Sequence, residues 1–131
     1  DINGEAKGDR FGSEVSLSSD GTRLAIGAVR NDVGGAKNDG GHARVYQFNE
    51  TGWSQLGNDI DGESANDRSS AALKLSGNGT TVVIGALRNN NNRGHVKTYR
   101  YNELLKSWVN LGQELNGMIW LNSLLRRLRT S

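Results

Sequence analysis

The chain has 131 residues, is 34% hydrophobic, and contains 18 glycines and no cysteine, which excludes a disulfide framework or thiolate metal centre and leaves the redox compartment open. Its net charge of +2 depends on Arg126, Arg127 and Arg129, because residues 1–117 hold 13 basic against 14 acidic side chains; no basic groove for nucleic acid is expected. No apolar run approaches the roughly eighteen residues of a membrane span and no signal-peptide pattern is present, and the start at Asp1 reads as a piece of a longer or processed protein.

Four short strands are predicted in residues 1–58. Val15 and Leu17 alternate with Glu14, Ser16 and Ser18, as in a half-buried strand, and Ser19-Asp20-Gly21 supplies the turn of a tight hairpin. Leu24-Ala25-Ile26 is an apolar run, the mark of a strand covered on both faces. Asn31 to Gly41 reads as a loop. Residues 43–48 then form a third strand, with His42, Arg44, Tyr46 and Phe48 on one face and Ala43, Val45 and Gln47 on the other. Asn49-Glu50-Thr51-Gly52 turns the chain into a fourth strand over residues 53–56.

The same plan returns in residues 59–117. Asp59-Ile60-Asp61-Gly62-Glu63 repeats Asp1-Ile2-Asn3-Gly4-Glu5, Asp67-Arg68 repeats Asp9-Arg10, and Val82-Val83-Ile84-Gly85-Ala86 repeats Leu24-Ala25-Ile26-Gly27-Ala28. Gly94-His95 repeats Gly41-His42, and Trp108 repeats Trp53. A period in the fifties indicates stacked modules, and length changes between the copies fall in loops. A third copy starts at Glu114-Leu115-Asn116-Gly117 and stops at Met118. In the tail, 118–131, Leu121, Leu124, Leu125 and Leu128 fall at helical spacing. A cap over the last sheet, a helix lying on a surface or membrane, and non-native sequence after a truncated repeat all remain open there.

These motifs resemble FG-GAP-type β-propeller repeats, the form found in bacterial and algal surface proteins and related to integrin α-chain blades. Phe11-Gly12 is similar to the FG element and Gly27-Ala28-Val29 to the GAP element, joined by Ser16-Leu17-Ser18-Ser19-Asp20-Gly21-Thr22. The Gly-His-x-Arg/Lys-x-Tyr strand appears at 41–46 and 94–99. The second copy departs from the pattern, with Ser69-Ser70 in the FG position, and Val29 and Leu87 stand where GAP has proline. WD40 or TolB-type blades share Ser-x-Asp-Gly-Thr but are shorter and usually carry Trp-Asp. The resemblance implies an all-β chain of two four-stranded antiparallel blades, 1–58 and 59–117, from a larger propeller. Complete propellers use about four to eight blades, so two leave sheet faces uncovered and call for further blades of the parent chain or self-association.

Function follows as a class. The resemblance implies a non-catalytic recognition or scaffold module of an extracellular or cell-surface protein, with a protein or glycan as ligand. The alternatives are accessory blades of a secreted glycan-active hydrolase, or a calcium-dependent adhesion module. No cofactor is expected other than calcium. Its candidate ligands are Asp59, Asp61, Glu63 and Asp67, which repeat Asp1, Asn3, Glu5 and Asp9 with alternating oxygen donors. The competing reading is an inter-blade turn whose acids satisfy backbone groups or the neighbouring arginines. Asp32, Asn38 and Asp39 form a second oxygen-rich loop, but its counterpart Asn89 to Asn92 has no carboxylate. His42 and His95 occupy equivalent places, which suits packing or hydrogen bonding more than catalysis. No nucleophile and base pair is recognisable. The recurring aromatics, Tyr46, Phe48, Trp53, Tyr99, Tyr101 and Trp108, fill space between sheets or stack on sugars or bases. Asn49 and Asn78 begin sequons in expected hairpin turns and are candidate glycosylation sites.

Overall fold

A computed structural model describes residues 1–32, 38–89 and 93–112. The described chain is all-β, built from two antiparallel sheets. The first contains β1 (Phe11–Leu17), β2 (Arg23–Ala28), β3 (His42–Asn49) and β4 (Gly52–Gln55) in that order, and the two-residue β5 (Ile60–Asp61) also pairs with β3. The second runs β6 (Ser69–Leu75), β7 (Thr81–Ala86), β8 (His95–Asn102) and β9 (Ser107–Asn110). Among the described residues no helix is long and apolar enough to cross a membrane. The proposed tail helix and the start of a third copy lie outside the described residues, as do Asn90 to Asn92.

Each blade begins with the same hairpin, held by the same side chains. Asp20 Oδ1 accepts from Ser18 Oγ (2.9 Å), Thr22 N (2.9 Å) and Thr22 Oγ1 (2.8 Å). Asn78 Oδ1 accepts from Ser76 Oγ, Thr80 N and Thr80 Oγ1 in the same way. Ser-x-Asx-Gly-Thr is therefore a self-supporting turn, with Gly21 and Gly79 supplying the left-handed residue at φ 76° and 72°.

Register decides how the blades meet. Ala25 pairs with Val45 and Gly27 with Ala43, so these four share one face of the first sheet. That face packs on Leu73, Leu75, Val82, Ile84, Tyr99, Tyr101 and Trp108 of the second sheet, with Ile60 in the same core. Gly27 is required at the closest approach: a Cβ there would lie 2.7 Å from Ser70 Oγ and 3.0 Å from the Ser70 carbonyl. Ser70, fully buried at φ 71°, donates its hydroxyl to the His42 carbonyl at 2.8 Å. The Ser69-Ser70 departure from FG thus carries a bond between blades.

One expectation needs correction. Val15 and Leu17 were to be the buried side of a half-buried β1, yet both are exposed, Leu17 at 56%, whereas its counterpart Leu75 is 3% exposed. The alternation is real. It marks the face that, in the second sheet, packs on the preceding blade.

Candidate functional site

The chain crosses from one blade to the next through residues 57–67, and this crossing gathers the charged side chains. β5 pairs with the start of β3, placing Asp61 opposite His42 and Ile60 opposite Ala43. A side chain at Gly62 would collide with the Gly40 carbonyl, so the crossing strand lies tight against the first blade.

Ligand atoms of His42, Asp59 and Asp61 consequently fall within 4.8 Å of one another. His42 is 2% exposed, and burial, reinforced by Arg44, holds its pKa below the ordinary value despite Asp59, Glu5 and Asp61 nearby. Arg44 grips Asp59 with two bonds, Nε to Oδ1 at 2.8 Å and Nη2 to Oδ2 at 2.9 Å, and reaches Glu5 Oε2 at 2.8 Å. Gln55 Nε2 adds a 2.6 Å bond to Asp59 Oδ1. Bonding to Arg44 holds both Asp59 and Glu5 below the usual carboxylate range. A calcium ion takes six to eight oxygens. Here two carboxylates stand with an imidazole, and the Arg44 guanidinium fills the cationic place beside Asp59.

The structure brings two of the four proposed metal ligands together, Asp59 and Asp61, and sends the others elsewhere. Glu63 pairs with Lys97, the second-blade equivalent of the Glu5–Arg44 pair. Asp67 is buried, and its Oδ2 accepts from Ser64 N and Asn89 Nδ2, both at 2.9 Å. Asp9 repeats this with Asn31 Nδ2 at 2.8 Å, and Asn31 also donates to Glu5 at 2.7 Å. Asp32 Oδ1 accepts from Asp39 N at 3.0 Å. Asn49, the last residue of β3, and Asn78, in a turn, are both exposed; each Oδ1 is held by the threonine two residues on, while neither Nδ2 makes a hydrogen bond among the described residues.

The aromatics repeat in geometry as well as in sequence. Phe48 and Trp53 meet at 5.2 Å and 58°, Tyr101 and Trp108 at 5.3 Å and 58°. Trp108 is buried at the blade interface and donates Nε1–H to the Leu56 carbonyl at 2.9 Å, whereas Phe48 remains exposed. Phe11 stands edge-on to Tyr46 at 6.4 Å. This geometry coincides with a family match: residues 3–46 fit the FG-GAP repeat.

Residues 3–46 are thus similar to one FG-GAP repeat. No curated protein matches the chain by sequence. In the matched stretch, the FG-like Phe11-Gly12 forms the bulge at the start of β1, between Phe11 and Glu14. The GAP element ends β2, where Gly27 receives the bulge of the next blade.

Sequence reasoning missed two features. His42 joins Asp59 and Asp61 only because a two-residue strand returns to the preceding sheet. Arg10, Arg30 and Arg68 line one cleft of about 220 Å³ at the blade junction. The recurring Asp-Arg dipeptide was the signal for the second.

Proposed function

We propose that this chain is a non-catalytic recognition and scaffold unit of an extracellular or cell-surface β-propeller, which takes further blades of its own kind on both outer faces and presents its loop ends to a protein or glycan. The observation that carries this reading is the match between the two open faces. The outer face of the second sheet bears Val83 and Val96 where the covered face of the first has Ala25 and Ala43; Val96 is 69% exposed and Ala43 fully buried. The outer face of the first sheet bears Val15 and Gly12 where the covered face of the second has Leu73 and Ser70. Larger residues on one open face thus oppose smaller ones on the other. A Cβ at Gly12 would meet nothing within 4 Å.

The polar groups agree. At the covered junction Arg23 bonds Gln47 and the Gly79 carbonyl and lies 5.7 Å from the Tyr101 ring centroid. Arg23 pairs across strands with Gln47; the equivalent pair in the second blade is Thr81 with Arg100, so the arginine has changed strand but kept its face. Phe48, the counterpart of Tyr101, lies exposed on the opposite open face to receive it. Head-to-tail contact of this kind closes into rings or extends.

Size-exclusion chromatography with light scattering on the full chain tests the reading. The wild type should associate as concentration rises; Val83→Lys with Val96→Lys, or Val15→Lys with Leu17→Lys, should each give monomers. Mixing the two variants should restore a limited complex, since each keeps one good face. A wild-type chain that stays monomeric at high concentration, or a mixture that never associates, overturns it.

A further inference from the structure

We infer that the cleft at the blade junction is a binding site for the oxyanion of an acidic sugar, a carboxylate or a sulfate. This deepens the recognition reading and rests on it. The cleft, of about 220 Å³, is lined by Arg10 and Arg30 from the first blade and Arg68 from the second, with Ser13, Glu14 and Leu87 among its other walls. Three guanidinium groups against one carboxylate leave an excess of positive charge around a space suited to a single small group.

The arginines are unspent. Arg44 binds two carboxylates and Arg23 binds an amide and a carbonyl, but among the described residues no ion pair or side-chain hydrogen bond engages Arg10, Arg30 or Arg68. Arg68 Nε is buried and has no hydrogen-bond partner, the one such side-chain atom among the described residues. A buried donor without an acceptor is costly, and a ligand oxygen is a natural way to satisfy it. Arginine presents its donors as a planar fork that fits a carboxylate or sulfate edge.

The backbone fixes where these forks sit. Arg10 and Arg68 are left-handed, at φ 59° and 53°, each directly before the bulge that opens its blade. Their carbonyls accept from Ser13 N at 3.0 Å and Ala71 N at 3.2 Å, closing the same turn twice. Arg30 is anchored by its amide to the Asp9 carbonyl at 3.0 Å. The cleft is therefore built from two successive copies of one turn, and neither blade alone provides it. The Glu14 carboxylate offers hydrogen-bond acceptors, which suits a ligand with hydroxyls beside its anionic group, and Leu87 gives an apolar wall for a ring.

The test uses glucuronate as probe, glucose as its neutral counterpart and inorganic sulfate as competitor, at matched ionic strength, followed by NMR titration of the full chain. Glucuronate should shift the arginine Nε–H signals and saturate in the millimolar range, sulfate should displace it, and glucose should do neither. Arg68→Gln should raise the dissociation constant roughly tenfold or more, and the exposed Arg10→Gln should act in the same direction, so a folding defect in one variant does not decide the matter. Arg88→Gln, at the equivalent of Arg30 but outside the cleft, should change nothing. Glucose binding as well as glucuronate, sulfate failing to compete, or full affinity in both cleft variants overturns the proposal. Association through the outer faces is a separate measurement, so failure here leaves a distinct mark from failure of the scaffold reading.

Discussion

The two blades share a hydrophobic pattern and bury different parts of it. Leu73 and Leu75 lie against the first blade while their counterparts Val15 and Leu17 face outward; Ala25 and Ala43 are sealed while Val83 and Val96 are exposed. Burial in a stacked repeat is thus set by which neighbour is present as well as by the strand's own alternation. The sharpest way to break this comparison is at paired glycines. A Cβ at Gly41, which has φ +78°, would stand 2.7 Å from Ser69 N and run into the Ser69 carbonyl of the second blade; at Gly94, with φ +74°, it would come no closer than 3.3 Å to the Leu87 carbonyl and 3.4 Å to that of Ala86, both of its own blade. Gly41→Ala should cost about 3 kcal/mol or more, because it adds a collision between backbones to the left-handed strain. Gly94→Ala should cost about 1–2 kcal/mol, the strain alone. Urea denaturation of both variants checks the ordering, and equal losses would show that the blades are not held together through this edge.

Next in size is truncation of the paired leucines. Leu75→Ala removes a side chain from the inter-blade core and should cost about 2–4 kcal/mol. Leu17→Ala removes an exposed one and should stay within about 0.5 kcal/mol in a dilute monomer. The gap should narrow at concentrations where chains associate, which makes the same pair of variants a gauge of whether the outer face is covered.

Ser70→Ala probes the bond across the junction. It deletes the hydroxyl donated to the His42 carbonyl in a fully buried setting, and about 1–2 kcal/mol should be lost. The substitution keeps the Cβ against Gly27, so packing is unchanged and the loss reports the hydrogen bond.

What the sequence revealed follows the range of each interaction. The hairpin turns were legible because Ser18, Asp20 and Thr22 hold each other within five residues, and the strands because their period is local. The burial of Leu75 rather than Leu17 was not, since it depends on a sheet some fifty residues away in the chain. β5 escaped notice for a related reason: Ile60-Asp61 reads as the start of a new unit, yet its hydrogen bonds go back to His42 and Ala43 of the previous one. The candidate carboxylates were found as a set by their repetition, but repetition places residues at equivalent positions in successive blades, not beside each other. Glu63 therefore meets Lys97, just as Glu5 meets Arg44.

The smallest expected effect concerns pH, and it separates the covered histidine from its partner in sequence. His42 is buried with its pKa lowered chiefly by desolvation, so the unfolded chain takes up a proton that the folded chain resists. Stability from this source is complete above the ordinary histidine value of 6.5 and drains as pH falls below it, until the lowered value in the fold is passed. Glu5 and Asp59 act with the same sign at more acidic pH. Their values are lowered by Arg44, so their contribution is present above the usual carboxylate range and is lost as pH falls through the lowered values. Two successive declines should appear in a plot of unfolding free energy against pH. His42→Gln should flatten the first and spare the second; Arg44→Gln should do more to the second. The matched His95→Gln variant, in a blade with no crossing strand over that position among the described residues, controls for the substitution itself. A first decline that persists unchanged in His42→Gln would mean that the closure of the crossing strand over β3 does not govern the histidine, and the tight β5 contact would lose its energetic role.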